Sequence, residues 1–497
     1  MEEKTDIKIE KFCKSFFYNG DKNVLKEFCE KIEECDKKEC SNKNKVEKNF
    51  EKTRDKIRLM LKKHLELDNV SFLFGTGSSL MLGAVSIRDI PKQIEEKIKN
   101  TNTSLYNNIF IPLISIFQKK GDIKIDSSIK NKWILNKDSD SIYRWYIKKG
   151  DESETEEWGN IDTPLENFTD FLLGLLYISG FSKKIKIEDK DFENEKIEEL
   201  IQLIKEELFK LCDMEYNYSD NSSNKDYFSK LKYHKKFLKS LLGRPLNLRR
   251  ANIFTTNYDL VFENSFDELG IYYINGFHGF NERAFRPEVY DFDMYYPGNT
   301  TEGKVRRVEK VLRYFKLHGS LNWVREEQEA NNIYGLKEYP IKIIRNESKK
   351  DVKERELDVG DIIIYPTSYK KGYTLDFPYS ELFRQFSTAI THPQSVLFCI
   401  GYSFFDEHIN DIIFQALSIP SFSLVIIDLN GNTKIDELKK LNDPRISILK
   451  GEFLGDFKYF ADEIMPNFHE LNVNEQISKT LKTLYPEKSD PIIEEEE

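Results

Sequence analysis

The chain has 497 residues, 39% of them hydrophobic and 13% aromatic, with 36 Phe and 25 Tyr, which excludes a mainly disordered polypeptide. Its 75 Lys and Arg against 85 Asp and Glu leave a net charge of −10, which excludes nucleic-acid binding through a broad basic surface and leaves room only for a local basic groove. At roughly 150 residues per domain the length corresponds to about three domains, or to one elaborated α/β domain.

The N-terminus, MEEKTDIKIEKF, is charged and lacks the apolar core of a secretory signal. The most apolar stretches, around Ser395–Gly401 and Ser423–Leu429, are strand-length, well short of the roughly 18 residues of a membrane span. A soluble, cytoplasmic protein with no membrane association is therefore expected. The cysteines, at positions 13, 29, 35, 40, 212 and 399, form no Cys-x-x-Cys pair, so reduced thiols and no metal site are expected.

From Asp6 to about Leu67 apolar residues recur at helical spacing, and two or three helices are predicted. Val70–Phe74 is a short run of β-formers ending in Gly75-Thr76-Gly77-Ser78-Ser79, with Gly83 beyond, which reads as strand, Gly-rich turn, helix. The stretch Leu105–Leu242 reads as helical. Within it Ile197, Leu200, Ile201, Ile204 and Leu208 make a stripe expected in the core, and Asn217–Lys225 reads as a loop. Further strands are predicted at Asn252–Thr256, Tyr314–Leu317, Asp361–Tyr365, Val396–Ile400 and Leu424–Ile427, with helices at Leu375–Thr391 and Glu407–Leu417. That rhythm predicts an α/β fold with a Rossmann-like, doubly wound parallel sheet, whose ligands bind at the carboxyl ends of the strands. The tail beyond about Asn472 thins to charged residues.

Four polar turns follow predicted strands, and each has a purely structural explanation beside a chemical one. Gly75, Thr76, Gly77, Ser78 and Ser79 could hold a pyrophosphate on backbone N–H groups and serine hydroxyls, or simply make a tight turn. In Thr255-Thr256-Asn257-Tyr258-Asp259, Asn257 could turn its amide toward a sugar or a water, or else Asn257 or Asp259 caps the next helix, placed at Tyr258–Glu263. His318, beside Gly319 at a strand end, is placed as a general base is placed, and His278 is the reserve. Gly401 permits close backbone approach, and Ser403 could hydrogen-bond a phosphate, although a helix-capping turn also explains Gly401-Tyr402-Ser403-Phe404.

In type, order and spacing these turns resemble the sirtuin catalytic domain, in which a Gly-Ala-Gly-x-Ser turn, a Thr-Gln-Asn-x-Asp turn, a His-Gly pair and a Gly-x-Ser turn surround NAD. The stretch from Gly75 to Arg88 fits the first motif without a gap; Thr76 replaces the usual Ala and Thr256 the usual Gln. The resemblance spans about residues 68–465, with a helical insertion at about 100–245, an N-terminal helical segment at 1–67 and a tail at 466–497. Protein-deacetylating sirtuins carry four zinc cysteines after the His-Gly turn, whereas this chain has none between Cys212 and Cys399. The insertion there, with Asp361–Thr367, Lys371, Tyr373, Pro378, Tyr379, Leu382 and Phe383, looks instead like the sirtuin-like effectors of prokaryotic antiphage defence, either Thoeris-related or associated with HerA-type ATPases.

That resemblance implies an NAD+ hydrolase releasing nicotinamide and ADP-ribose, with Asn257 orienting the ribose or the attacking water and His318 as base. Gly75, Thr76, Gly77, Ser78, Ser79, Gly401 and Ser403 would hold the pyrophosphate. Asp428 and Asn430 would lie near the adenosine ribose, and Asp259 would stabilise the turn. It further implies a homo-oligomer or a hexameric HerA-type ATPase partner, with no direct nucleic-acid binding. The alternatives are an NAD-dependent deacylase or ADP-ribosyltransferase, and a non-catalytic nucleotide-binding subunit.

Overall fold

The computed structural model describes residues 5–20, 22–26, 43–85, 90–120, 132–135, 145–148, 155–157, 165–179, 183–187, 190–214, 230–297, 306–350, 354–357 and 377–468. Its centre is a nine-stranded sheet. Numbered along the chain, its strands are β1 (Phe16–Asn19), β2 (Lys22–Asn23), β3 (Asn69–Phe74), β4 (Asn252–Thr255), β5 (Tyr272–Ile274), β6 (Val311–Lys316), β7 (Ser395–Ile400), β8 (Ser423–Asp428) and β9 (Ile446–Lys450). Their order across the sheet is 5-6-4-3-7-8-9-1-2. The seven strands β3 to β9 are mutually parallel, which makes the fold the Rossmann-like α/β class that the sequence predicts.

Strands buried on both faces need apolar residues at successive positions, which is why β7 is apolar from Val396 to Ile400 and β3 from Val70 to Phe74 apart from the buried Ser71. Parity then assigns the faces. Phe72, Phe74, Phe398, Ile400, Val425 and Ile427 enter one core with residues of the helices Lys43–Leu65, Lys232–Leu242 and Val261–Leu269. Leu73, Leu397, Cys399, Leu424 and Ile426 enter the other, against Tyr379–Thr391 and Glu407–Leu417. From β3 the chain moves to β4 on one side, and it later crosses to β7 on the other. The carboxyl ends of β3 and β7 therefore flank the switch point at which such sheets bind ligands.

Three regions differ from the sequence-based expectation. The N-terminal segment holds the helices Thr5–Cys13 and Lys43–Leu65 but also the hairpin β1–β2, whose first strand pairs antiparallel with β9. Its signal is Phe16-Phe17-Tyr18-Asn19-Gly20, aromatic β-formers followed by an Asn-Gly turn with Gly20 at φ +62°. The insertion is not wholly helical: beside Leu165–Ser179 and Asn194–Cys212 it contains the hairpin Lys184–Ile187/Lys190–Glu193 and a three-stranded meander. Its stripe Ile197, Leu200, Ile201, Ile204 and Leu208 is buried as expected, in a cluster that also takes in Leu321, Val324 and Ile344. Finally, no α-helix starts at the Gly-rich turn. Two three-residue 3-10 turns, Thr76–Ser78 and Leu80–Leu82, follow instead and end at Gly83, whose φ of +91° stops further winding.

The predicted strand Asp361–Tyr365, the loop Asn217–Lys225, the residues Lys371 and Tyr373, and the charged tail lie outside the described residues. Pro378 precedes the helix Tyr379–Thr391, on which Tyr379, Leu382 and Phe383 are buried. No helix among the described residues is long and apolar enough to cross a membrane.

Candidate active site at the carboxyl ends of the sheet

The strand registers bring the candidate residues together. Lys316, Thr255, Phe74, Ile400 and Ile427 stand opposite one another in a single row across five adjacent strands, β6-β4-β3-β7-β8. Every chemically suspect turn leaves the sheet immediately beyond that row. The β4–β6 register ends at Lys316 opposite Thr255, and the turns that carry His318 and Asn257 leave these adjacent strands two residues further on. Asp428, the last residue of β8, falls beside Gly401.

The glycines pack the first and fourth turns backbone against backbone. Gly75 N–H donates to the Ile400 carbonyl and Gly77 N–H to the Gly401 carbonyl, each at 3.0 Å. A Cβ on Gly77 would lie 2.6 Å from Gly401 Cα, and one on Gly401, whose φ is +59°, would meet Gly77 at the same distance. Close approach is thus required here by the neighbouring turn itself. The serines also differ from expectation. Ser78 Oγ donates to the Gly75 carbonyl at 2.8 Å and Ser79 Oγ to Asp259 Oδ2 at 3.0 Å, so both hydroxyls point into the protein. Without a helix N-terminus at this turn, the pyrophosphate expectation rests on backbone and on the half-buried Thr76.

Asn257 is the hub of the first two turns. Its Nδ2 lies 3.2 Å from the Gly75 carbonyl oxygen and from Ser79 Oγ, and 3.4 Å from Ser78 Oγ. A carbonyl can only accept, so the amide nitrogen must face it, which leaves Oδ1 buried with no hydrogen-bond donor among the described residues. Asp259 serves the fold: Oδ1 caps Val261 N–H at 3.1 Å, starting the helix Val261–Leu269 three residues later than predicted, and Oδ2 receives Ser79. Burial pushes its carboxyl up, against the pull of Lys316.

Sequence reasoning passed over Lys316, although a lysine in a buried strand is itself a signal. Its Nζ donates to the carbonyls of Tyr258, at 3.1 Å, and Asp259, and pairs with Glu263 at 3.0 Å. Tyr314 donates to the other Glu263 oxygen at 3.1 Å, and burial raises the Glu263 carboxyl against the effect of Lys316. The Asn257 turn is therefore held from below by a buried cation. His318, 5% exposed, sits on the turn that follows, with Gly319 at φ +93°. His278 is exposed on a two-residue strand of a separate four-stranded sheet. A second histidine does reach the site: the His408 ring lies 5.6 Å from that of His318. No local pattern marked it.

Beyond β7, the Ser403 carbonyl accepts from Asn432 Nδ2 at 2.7 Å. Asp428 Oδ1 accepts from the backbone of Asn430 at 3.1 Å and of Gly431 at 2.5 Å, and burial raises its carboxyl against these bonds. One Asp428 oxygen is thus engaged in its own turn. Among the described residues there is no cluster of three or more His, Cys, Asp or Glu arranged to hold a metal.

The family described as SIR2-like domain matches residues 251–449, so that stretch is similar to SIR2-like domains. The matched residues contain the Asn257, His318, Gly401 and Asp428 turns. Gly75–Ser79 lies outside them and is joined to them by strand β3, at the centre of the sheet. No curated protein matches the chain.

Proposed function

We propose that this chain hydrolyses NAD+ to nicotinamide and ADP-ribose. The reading is carried by one observation: a buried amide oxygen, Asn257 Oδ1, without a donor from the described residues, on a turn that leaves the sheet beside the strand leading to His318. A buried acceptor of this kind costs free energy until a donor arrives, and a ribose hydroxyl or a water supplies one. The leaving nicotinamide departs from a cationic pyridinium and takes the glycosidic electron pair without needing an acid. As water bonds to the ribose carbon, its proton passes to His318. Asn257 orients the ribose or the water, while the paired turns at Gly75–Gly77 and Gly401 line the pyrophosphate side with backbone.

The absence of cysteine between Cys212 and Cys399 favours hydrolysis over protein deacylation, since the zinc module of deacetylating sirtuins has no ligands there. By the same resemblance the chain acts in the cytoplasm as a cell-killing effector of antiphage defence, restrained by self-association or by a HerA-type ATPase. The full chain incubated with NAD+ should yield nicotinamide and ADP-ribose in equal amounts without an acyl-lysine peptide. NAD+ bound but left intact would overturn hydrolysis, and product that requires the peptide would assign a deacylase. Expression in cells should lower NAD+ on phage challenge and leave it unchanged when Asn257 is replaced by Ala.

A further inference from the structure

We infer that His408 is the proton outlet of this site, receiving the proton from His318 and passing it to solvent; the inference rests on the hydrolytic reading above. Each turnover of that reaction releases one proton. The attacking water loses it as the new C–O bond forms, and the base that takes it must be cleared before the next water can be activated. His318 is buried, so the proton it collects has to be handed on.

His408 is placed to receive it. It is the second residue of the helix Glu407–Leu417, which begins six residues beyond the Gly401 turn. Its ring centroid is 5.6 Å from that of His318, with the planes inclined at 36°, a separation that one bridging water spans for proton exchange between two imidazoles. On another side Phe383, from the helix Tyr379–Thr391, meets the His408 ring edge-on at 4.8 Å and 87°, which limits its rotation. His408 is only half-buried, so the pair runs from the buried row of strand ends toward the surface. Each imidazole takes up one proton, becoming imidazolium, and gives one up in turn, so the relay restores both rings to the neutral form with no further reactant. Acting through His318 and not on the nucleotide, His408 is a positioning and relay residue.

The test compares nicotinamide release by the full chain with that of His408→Ala, His408→Phe and His408→Gln, with and without added imidazole. The wild-type chain is the control for the underlying reading: if it releases no nicotinamide, hydrolysis itself is wrong. Given wild-type activity, all three variants should lose about tenfold to a hundredfold in kcat with KM within about twofold, and free imidazole should restore much of the loss in His408→Ala. His408→Phe keeps a ring against Phe383 but carries no proton, and His408→Gln covers the case in which it does not fold. Retention of kcat within about twofold in either folded variant would reduce His408 to packing and overturn the relay. A loss in His408→Ala that imidazole does not restore would overturn it as well.

Discussion

Asn257 Nδ2 donates to the Gly75 carbonyl oxygen at 3.2 Å, tying the turn after β4 to the turn after β3 across 182 residues of sequence. This contact orients the amide. Replacing Asn257 by Asp sets a carboxylate oxygen against that carbonyl, and replacing it by Ala removes both ends of the amide. Both variants should lose NAD+ cleavage by about 100-fold or more in kcat, as when a preorganised polar group is removed from a reacting centre. Nicotinamide release over time measures it, and activity within about tenfold of wild type would remove Asn257 from the chemistry.

His318→Ala should lower kcat by about 100-fold to 10,000-fold, the usual contribution of a general base, while NAD+ affinity by calorimetry stays within about threefold. Equal loss of binding and turnover would make His318 a binding residue.

Gly77→Ala places a methyl 2.6 Å from Gly401 Cα and 3.0 Å from its carbonyl oxygen, both backbone atoms that cannot step aside. The paired turns must separate, and NAD+ affinity should fall by about tenfold or more. Unchanged affinity would show that the contact of the two turns is not part of the binding surface.

Lys316→Met leaves the buried Glu263 without its ion partner and the Tyr258 and Asp259 carbonyls without a donor. A loss of about 3 kcal/mol is expected in urea unfolding. The double variant Lys316→Met/Glu263→Leu should recover part of it, because no lone charge then remains buried. Additive losses would contradict the pairing.

Glu95, on the helix Ile90–Thr101, is buried and accepts from the Tyr106 hydroxyl at 2.9 Å; burial pushes its carboxyl up to about 7 from 4.5. A raised carboxyl favours folding while protonated, so its contribution is complete below about pH 4.5 and is lost as the pH rises through 7. Glu95→Gln removes the charge and keeps the acceptor. The melting temperature of the wild type should therefore fall further between pH 5 and pH 8 than that of the variant, by the equivalent of about 2–3 kcal/mol. Parallel curves would show that Glu95 is not the titrating group.

Local pattern sufficed for β3, β4, β6, β7 and β8, because a strand buried on both faces writes a short apolar run closed by polar residues. The same turns supplied Gly75–Ser79, Asn257, His318, Gly401 and Asp428 as candidates, whose types and order carried the sirtuin resemblance. Tertiary structure decided how they meet. Phe16 pairs with Lys450, Lys316 with Glu263, and His318 with His408, at separations no local window spans. It also turned the Ser79 hydroxyl inward to Asp259, while Ser78 closes locally on the Gly75 carbonyl, and 3-10 turns stand where a helix was expected, with Gly75 and Gly77 N–H bonded to the Ile400 and Gly401 carbonyls. The sequence by itself determined which turns are candidates for chemistry, since residue type is local. Only the common row of five strand ends, set by backbone pairing between segments far apart in the chain, brought those turns to one edge of the sheet.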